Sequence, residues 1–376
     1  MSNGPISAII QHISEVAKTA TPQYKIELPG FTQSLITAHD KGNIDYDSFN
    51  GHYKTVKVKK RKRYTVEQTE TTPSCDVTNV PAYTDDTVSV ANYRQIAIHI
   101  EDELIASYDE ASSRQVPIIG TSVSSEFIEE LMNASNALLT GINQDLLTLA
   151  AAAVGVNRRT ATTTAETINI SKNIDTLSLT DGLTQILSDF RLNNMAGRPI
   201  VVGGGLFNNF MMQQASKLGG LNGFDTRIQA AGLDFFYDND VADIIDTNNI
   251  LVYEKNAVQL VEYLKYRGFK AGQKGTSVFG IAPLPFYTTT ASGGMQLLPI
   301  NVDLQLKYND CEAEFDTGGY GTTTLQKGWN MIVSKNYGLW TIPSTAYQAA
   351  DPLSGNRGSL LYDITNDCDT CPTYTV

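Results

Sequence analysis

The sequence predicts an α+β protein with one long helix, a projecting β-hairpin and a late run of strands. Three observations predict it. From Val123 to Ala153, apolar residues recur every three or four positions, well beyond an average helix. Two arms of β-favouring residues flank a turn-rich stretch near 73–86. Ile300, Val302, Leu304 and Leu306 alternate with Asn301, Asp303, Gln305 and Lys307, the period of a half-buried strand.

Residues 1–49 read as an arm. Ile6, Ile9, Ile10, Ile13, Val16 and Ala17 fit one face of a short amphipathic helix, and Thr21 to Tyr46 carries Pro22 and Pro29 without a sustained period. Residues 50–94 read as the hairpin. One arm runs from Tyr53 to Thr72 with Val56, Val58, Tyr64 and Val66. The other runs from Thr87 to Ile100, where Val88, Val90, Ile96, Ile98 and Ile100 alternate with polar residues. Pro73, Asn79, Pro81, Asp85 and Asp86 mark the tip. An arm of roughly 18 residues would span about 60 Å, against a radius of gyration of about 21 Å for a compact chain of this length. Few apolar residues between 54 and 87 could anchor it, so the hairpin is expected to stand off the body.

The long helix begins where Ser122 or Ser124 can cap it, carries Glu126, Glu129 and Glu130 in its first turns, and stops at Gly155. At 1.5 Å per residue it makes a rod of roughly 46 Å. Residues 95–159 hold this helix and the strand before it. Residues 160–295 read as a mixed α/β unit: a Thr- and Asn-rich crossing to 176, a helix from Asp181 to Asn193, a strand from Pro199 to Val202, a triple glycine, a helix from Leu206 to about Lys217, and strand or short-helix pieces at Phe235–Tyr237, Ile250–Tyr253 and Val258–Tyr263. Residues 296–350 read as a β return that includes Trp329 to Val333 and Tyr337 to Trp340, and 351–376 as a polar tail.

Composition excludes several classes. A hydrophobic fraction of 41% and a charged fraction of 18% suit a folded chain, and no run of about 18 apolar residues is present. The opening Met-Ser-Asn-Gly-Pro lacks the basic and apolar regions of a secretory signal. Cys75, Cys311, Cys368 and Cys371 are too few for a disulfide scaffold, and Cys368-Asp-Thr-Cys371 supplies two of the four ligands that a zinc site needs. His12, His39, His52 and His99 stand apart from any metal-ligand spacing. Gly203-Gly204-Gly205 follows a strand and precedes a helix, the setting of a phosphate cradle, but position 208 is Asn and no basic residue follows before Lys217. Gly272 to Ser277 lacks the Gly-Lys-Ser/Thr order, and no Gly-x-Ser-x-Gly elbow occurs. No catalytic, cofactor-binding or metal residue is assigned, and the chain is not expected to be an enzyme.

The charge layout points elsewhere. Lys54, Lys57, Lys59, Lys60, Arg61, Lys62 and Arg63 contribute +7 to a chain of net charge −12, so the remainder carries −19. A cationic strand on an anionic body attracts copies of itself. Those seven residues are the expected docking strand, and Asp238, Asp240, Asp243, Asp310, Glu312 and Glu314 the expected acidic partner surface. Contact with nucleic-acid phosphates is the alternative for the same strand, opposed by the anionic body.

With its N-terminal arm, long hairpin, long helix, α/β unit and β return in that order, the chain resembles the HK97-type major capsid protein of tailed bacteriophages. Asn50 to Tyr93 match the family's extended loop, Ser122 to Val154 its spine helix, Gln95 to Ile100 and Val302 to Tyr347 the other peripheral-domain strands, and Thr160 to Met295 its axial domain. Asn143-Gln-Asp-Leu-Leu, Val201 to Asn209, and Lys327-Gly-Trp329 to Trp340 are similar to capsid sequence. The resemblance implies hexamers and pentamers of one chain in an icosahedral shell, assembled in the host cytoplasm around double-stranded DNA. It implies scaffold, portal and decoration proteins as further partners, and no cofactor or membrane. Other readings are an encapsulin-type compartment, another virion ring protein, or a nucleotide-binding α/β enzyme.

Overall fold

The computed structural model describes residues 26–37, 44–45, 55–61, 83–101, 122–169, 181–195, 197–217, 232–246, 248–265, 272–274, 277–289, 295–309, 313–316, 322–325, 328–342 and 358–365. The fold is mixed α+β with strand predominating. A seven-stranded sheet and a five-stranded sheet contribute to one core with the helix Ser122–Ala152, which packs on Asn92–Glu101 and Gly328–Thr341 of the larger sheet, while the helix Gly30–Thr37 touches strands of both sheets.

The larger sheet is assembled around the strand Gly328–Thr341. One of its edges pairs antiparallel with Asn92–Glu101, from Gly328↔Glu101 to Tyr337↔Asn92. Its other edge is divided. Residues 328–334 pair with the strand Met295–Asn309, and residues 336–341 pair with Val258–Tyr263. Ser277–Thr289 forms a long antiparallel pair with Met295–Asn309 and carries Gly272–Lys274 and the parallel strand Ile26–Glu27. Within Met295–Asn309 the side chains of Ile300, Val302, Leu304 and Leu306 are buried, and Asn301 and Lys307 are exposed. Asp303 departs from this alternation. It is fully buried because its carboxylate accepts the Lys265 backbone N–H at 2.8 Å.

The five-stranded sheet runs Glu166–Asn169, Ser359–Thr365, Asn249–Tyr253, Ile200–Gly203, Asp234–Tyr237. Both of its faces are covered. Ile200, Val202, Phe236, Leu251 and Tyr253 join the core around the long helix. Val201, Phe235, Ile250 and Val252 face the other way, into a core with Ile186 and Phe190 of the helix Asp181–Leu192 and Phe207, Phe210 and Met211 of the helix Gly205–Lys217. This is why these strands are continuous apolar runs and not alternating ones.

Four expectations change. The α/β unit does not extend to 295, because Val258–Tyr263 and Ser277–Thr289 pair into the larger sheet. The segment 351–376 is not all tail. Leu360, Tyr362 and Ile364 are buried, and Ser359–Thr365 lies inside the small sheet between a parallel and an antiparallel neighbour. Its period-two pattern is short and carries Asp363, which masked it. The second arm of the hairpin divides at Val90 and Ala91: Tyr83–Ser89 pairs with Thr55–Arg61, while Asn92–Glu101 enters the larger sheet. Finally, the buried face of the long helix is wider than every third or fourth position: Leu138 and Leu139, and Leu146 and Leu147, are buried as adjacent pairs, while Leu149 is 39% exposed. A helix packed on strands and on the helix Gly30–Thr37 at once needs a wider apolar stripe than one packed on a single face.

If Ser359–Thr365 is a core strand, Leu360→Ala should cost about 2–5 kcal/mol by urea unfolding, and Leu361→Ala, at a half-buried neighbour, clearly less. Equal small losses would return this segment to a tail.

Candidate assembly surfaces

The basic strand begins inside the body. In Thr55–Arg61, Val56 and Val58 are fully buried and Lys57 between them is exposed, the parity of a strand with one face laid on a core. Ile44–Asp45 flanks this strand on one side and Tyr83–Ser89 on the other, with Lys59 opposite Asp85 and Val58 opposite Asp86. Asp85 and Asp86 are therefore strand residues and not part of the tip. The Trp340 indole N–H donates to Asp86 at 3.3 Å, and Val90 joins the main core. Gly338 lets the hairpin sit close, since a Cβ there would stand 3.1 Å from the Ser89 carbonyl oxygen. The root of the hairpin is thus anchored, contrary to the expectation that little could hold it. Lys59, Lys60 and Arg61 occupy the strand beyond the anchor. Lys54, Lys62 and Arg63 lie outside the described residues.

The expected acidic surface separates into unlike parts. Asp238 is buried, 2% exposed, and is a structural bolt. Its carboxylate accepts the Phe31 N–H at 2.7 Å, the Asn143 amide at 2.9 Å and the Asp240 N–H at 2.9 Å. Burial pushes its pKa up, and those donors oppose the shift. Asn143, fully buried, also accepts from the Thr32 N–H and hydroxyl at 3.1 and 2.8 Å and donates to Asp240 at 2.7 Å. This knot fastens the helix Gly30–Thr37, the long helix and the end of the strand Asp234–Tyr237 together. Gly30 is required beside it, because a Cβ there would meet the Tyr237 carbonyl oxygen at 2.0 Å. Asp240 is half-buried in the same network, and Asp243 is exposed. Asp310 and Glu312 lie outside the described residues. Glu314 has its backbone in the short strand Ala313–Asp316, opposite Thr324.

Two further polar constellations escaped the sequence reading. Arg94 clamps Asp145 of the long helix with two bonds, Nε to Oδ2 at 2.6 Å and Nη2 to Oδ1 at 2.8 Å, and the buried Tyr337 donates its hydroxyl to the same carboxylate. The clamp borders a groove of about 680 Å³ between the strand Asn92–Glu101 and the long helix, with Tyr93 exposed on its rim. Gly141 was the available signal. A glycine inside so long a helix costs stability, and here a Cβ would stand 2.6 Å from Arg94 Nη1. Just past the C-terminal end of the helix, buried Asp189 accepts from the Tyr362 hydroxyl at 3.0 Å, Asn157 at 3.3 Å and Arg159 at 3.1 Å. Asn157 and Arg159 also hold Glu166. This network binds the late strand Ser359–Thr365 to the turn after the long helix.

Gly203 is buried, and its hypothetical Cβ would meet Ile250 at 2.8 Å and Phe207 at 3.3 Å, so packing accounts for it. His99 contacts Asn330 at 3.2 Å. Among the described residues, no group of three or more His, Cys, Asp or Glu could hold a metal ion, and no helix is long and apolar enough to cross a membrane. Cys75, Cys311, Cys368, Cys371, His12, His39 and His52 lie outside the described residues.

No family model and no curated protein matches the chain. Solved structures to which it is similar come from bacteriophages. They include the cyanophage A-1(L) capsid asymmetric unit, at 12% identity over 91% of this chain and 94% of that one with a TM-score of 0.45. Mycobacterium phage Adephagia is similar at 12% identity over 96% and 98% with a TM-score of 0.41, and the capsid of Ralstonia phage GP4 at 10% over 85% and 85% with a TM-score of 0.36.

Asn143→Ala should cost about 3 kcal/mol in chemical unfolding, because it strips donors from a buried carboxylate. The Arg94 guanidinium holds Asp145 below the usual carboxylate range, against desolvation and with help from Tyr337. A depressed folded pKa means the stabilisation is present above the ordinary aspartate value of about 4 and is lost as pH falls through the lowered one. Unfolding free energies measured between about pH 5 and pH 2 should therefore fall more steeply for the native chain than for Asp145→Asn. Parallel slopes would show that the clamp adds nothing.

Proposed function

We propose that the chain is a structural shell protein, an HK97-type major capsid protein whose copies form the hexamers and pentamers of an icosahedral shell around double-stranded DNA, in the virion after assembly in the host cytoplasm. In this reading the long helix is the spine and the seven-stranded sheet beside it the peripheral domain. The five-stranded sheet with its two covering helices is the axial domain, and residues 50–94 are the extended loop. The chain performs no chemistry. Scaffold, portal and decoration proteins complete the particle.

The observation that carries the reading is a rigidly rooted arm with its positive charge beyond the root. Val56, Val58 and the Trp340–Asp86 bond fix the base, and the basic run continues past it on a chain whose remainder carries −19. In this reading the chain's own acidic run lies away from that root. Asp310 and Glu312 follow the end of Met295–Asn309, where Asn309 pairs with Gly328. The hairpin root sits at Gly338 and Trp340 of the same strand, about 33 Å further along at the usual strand rise. A basic arm at one end and an acidic run at the other suit head-to-tail contact between copies. Single exposed ion pairs contribute about 0–1 kcal/mol each, so their effect comes from repetition around a closed assembly.

Negative-stain microscopy after size exclusion tests this. The native chain should give shells or capsomer rings that dissolve as salt rises. Neutralising Lys59, Lys60, Arg61, Lys62 and Arg63 to Gln should abolish them or confine them to low salt. Normal, salt-insensitive shells from that variant would refute arm docking.

A further inference from the structure

The small sheet carries its own charge asymmetry, separate from the hairpin. Arg158, Arg191 and Arg198 are all exposed. Among the described residues, none of them has a carboxylate partner, unlike Arg159, which is held by Glu166 and Asp189. Their backbones are fixed together. The Arg158 N–H donates to the Asn193 side chain at 2.9 Å, and its guanidinium reaches the Leu192 carbonyl at 3.5 Å, next to Arg191. Arg198 ends the short connection from this helix into the strand Ile200–Gly203, where Gly197 turns the chain with φ +84°. The three arginines belong to the end of the small sheet where Ile200–Gly203 and Ser359–Thr365 begin: Arg198 is two residues before Ile200, and the Gly155 N–H, just ahead of Arg158, donates to the Ser359 carbonyl at 3.0 Å. At the other end of the sheet's strands, on the connection between Tyr237 and Asn249, Asp243 and Asp246 are exposed, and the Asp238–Asn143 knot holds the start of that connection in place.

We infer that the arginines Arg158, Arg191 and Arg198 of one copy dock on the Asp243 and Asp246 corner of the next, a second self-association contact that rests on the shell-forming reading above. The two patches stand at opposite ends of the sheet's strands, so within one chain they are held apart and each is left for another molecule. Opposite charges at opposite ends make the contact head-to-tail, the kind that repeats around a ring. Guanidinium groups suit the role because each meets a carboxylate with two parallel bonds. With the hairpin taken by the acidic run at Asp310 and Glu312, Asp243 is left to the arginines, so both contacts can form at once.

The test compares Arg191→Glu with Arg198→Glu, Asp243→Arg with Asp246→Arg, and the chain carrying all four substitutions. Sedimentation velocity and microscopy read assembly, and circular dichroism melts read folding. Each pair of reversals alone should lower the assembled fraction by about tenfold or more, with the melt unchanged, and the fourfold chain should recover most of it. Reversals that assemble like the native chain, or a folded fourfold chain no better than either pair, would overturn the contact and leave arm docking untouched. Shells that form normally from the arginine reversals but retain less DNA would also overturn it, assigning the patch to a polynucleotide. Failure of the native chain itself to assemble at any salt would overturn the shell reading, and this contact with it.

Discussion

The strand Gly328–Thr341 is the constraint on which the rest of this structure depends. Its edges are filled by three other strands drawn from three distant parts of the chain. Its side chains reach both the long helix, through Tyr337 and Asp145, and the root of the basic arm, through Trp340 and Asp86. Gly338 is the point of closest approach, where any side chain would press on the Ser89 carbonyl. One strand therefore fixes the register of the larger sheet, the seat of the helix and the take-off point of the arm. A one-residue slip would turn Met331, Val333 and Tyr337 away from the main core, so the pairing is strongly specified.

Buried polar knots do what apolar packing leaves undone. Hydrophobic contact is non-directional and would let the packed elements slide past one another. The Asp238–Asn143 knot, the Arg94–Asp145–Tyr337 clamp and the Asp189 network each tie that helix, or the turn after it, to a particular neighbour by directional bonds. Each mixes a carboxylate with amide, hydroxyl or guanidinium donors, so the desolvation cost of the charge is offset locally. Charge that could be free for partners is accordingly left at the margins, on Lys57, Asp243, Asp246 and three arginines.

Much of this was legible in the residues. The long helix reads from its own period, and Ser122–Ala152 carries it. The alternation of Ile300 to Leu306 reads as a strand with one buried face. The strands of the small sheet read as apolar runs because both of their faces are covered. Less was legible at the surface. Asp238 and Asp243 look alike in the chain, yet one is enclosed by backbone and amide donors and the other is in water. Ser359–Thr365 reads as polar tail because its neighbours in sequence are polar, while its neighbours in space are Tyr253 and Glu166.

By itself the sequence determined the periods of the elements and the uneven spread of charge, since both are local properties that each segment carries wherever it packs. Only the tertiary structure decided which acids are bolts and which are surface, where the hairpin is rooted, and that a late strand completes an early sheet. Those outcomes depend on which groups exclude water from which others, and desolvation is set by neighbours far apart in the chain.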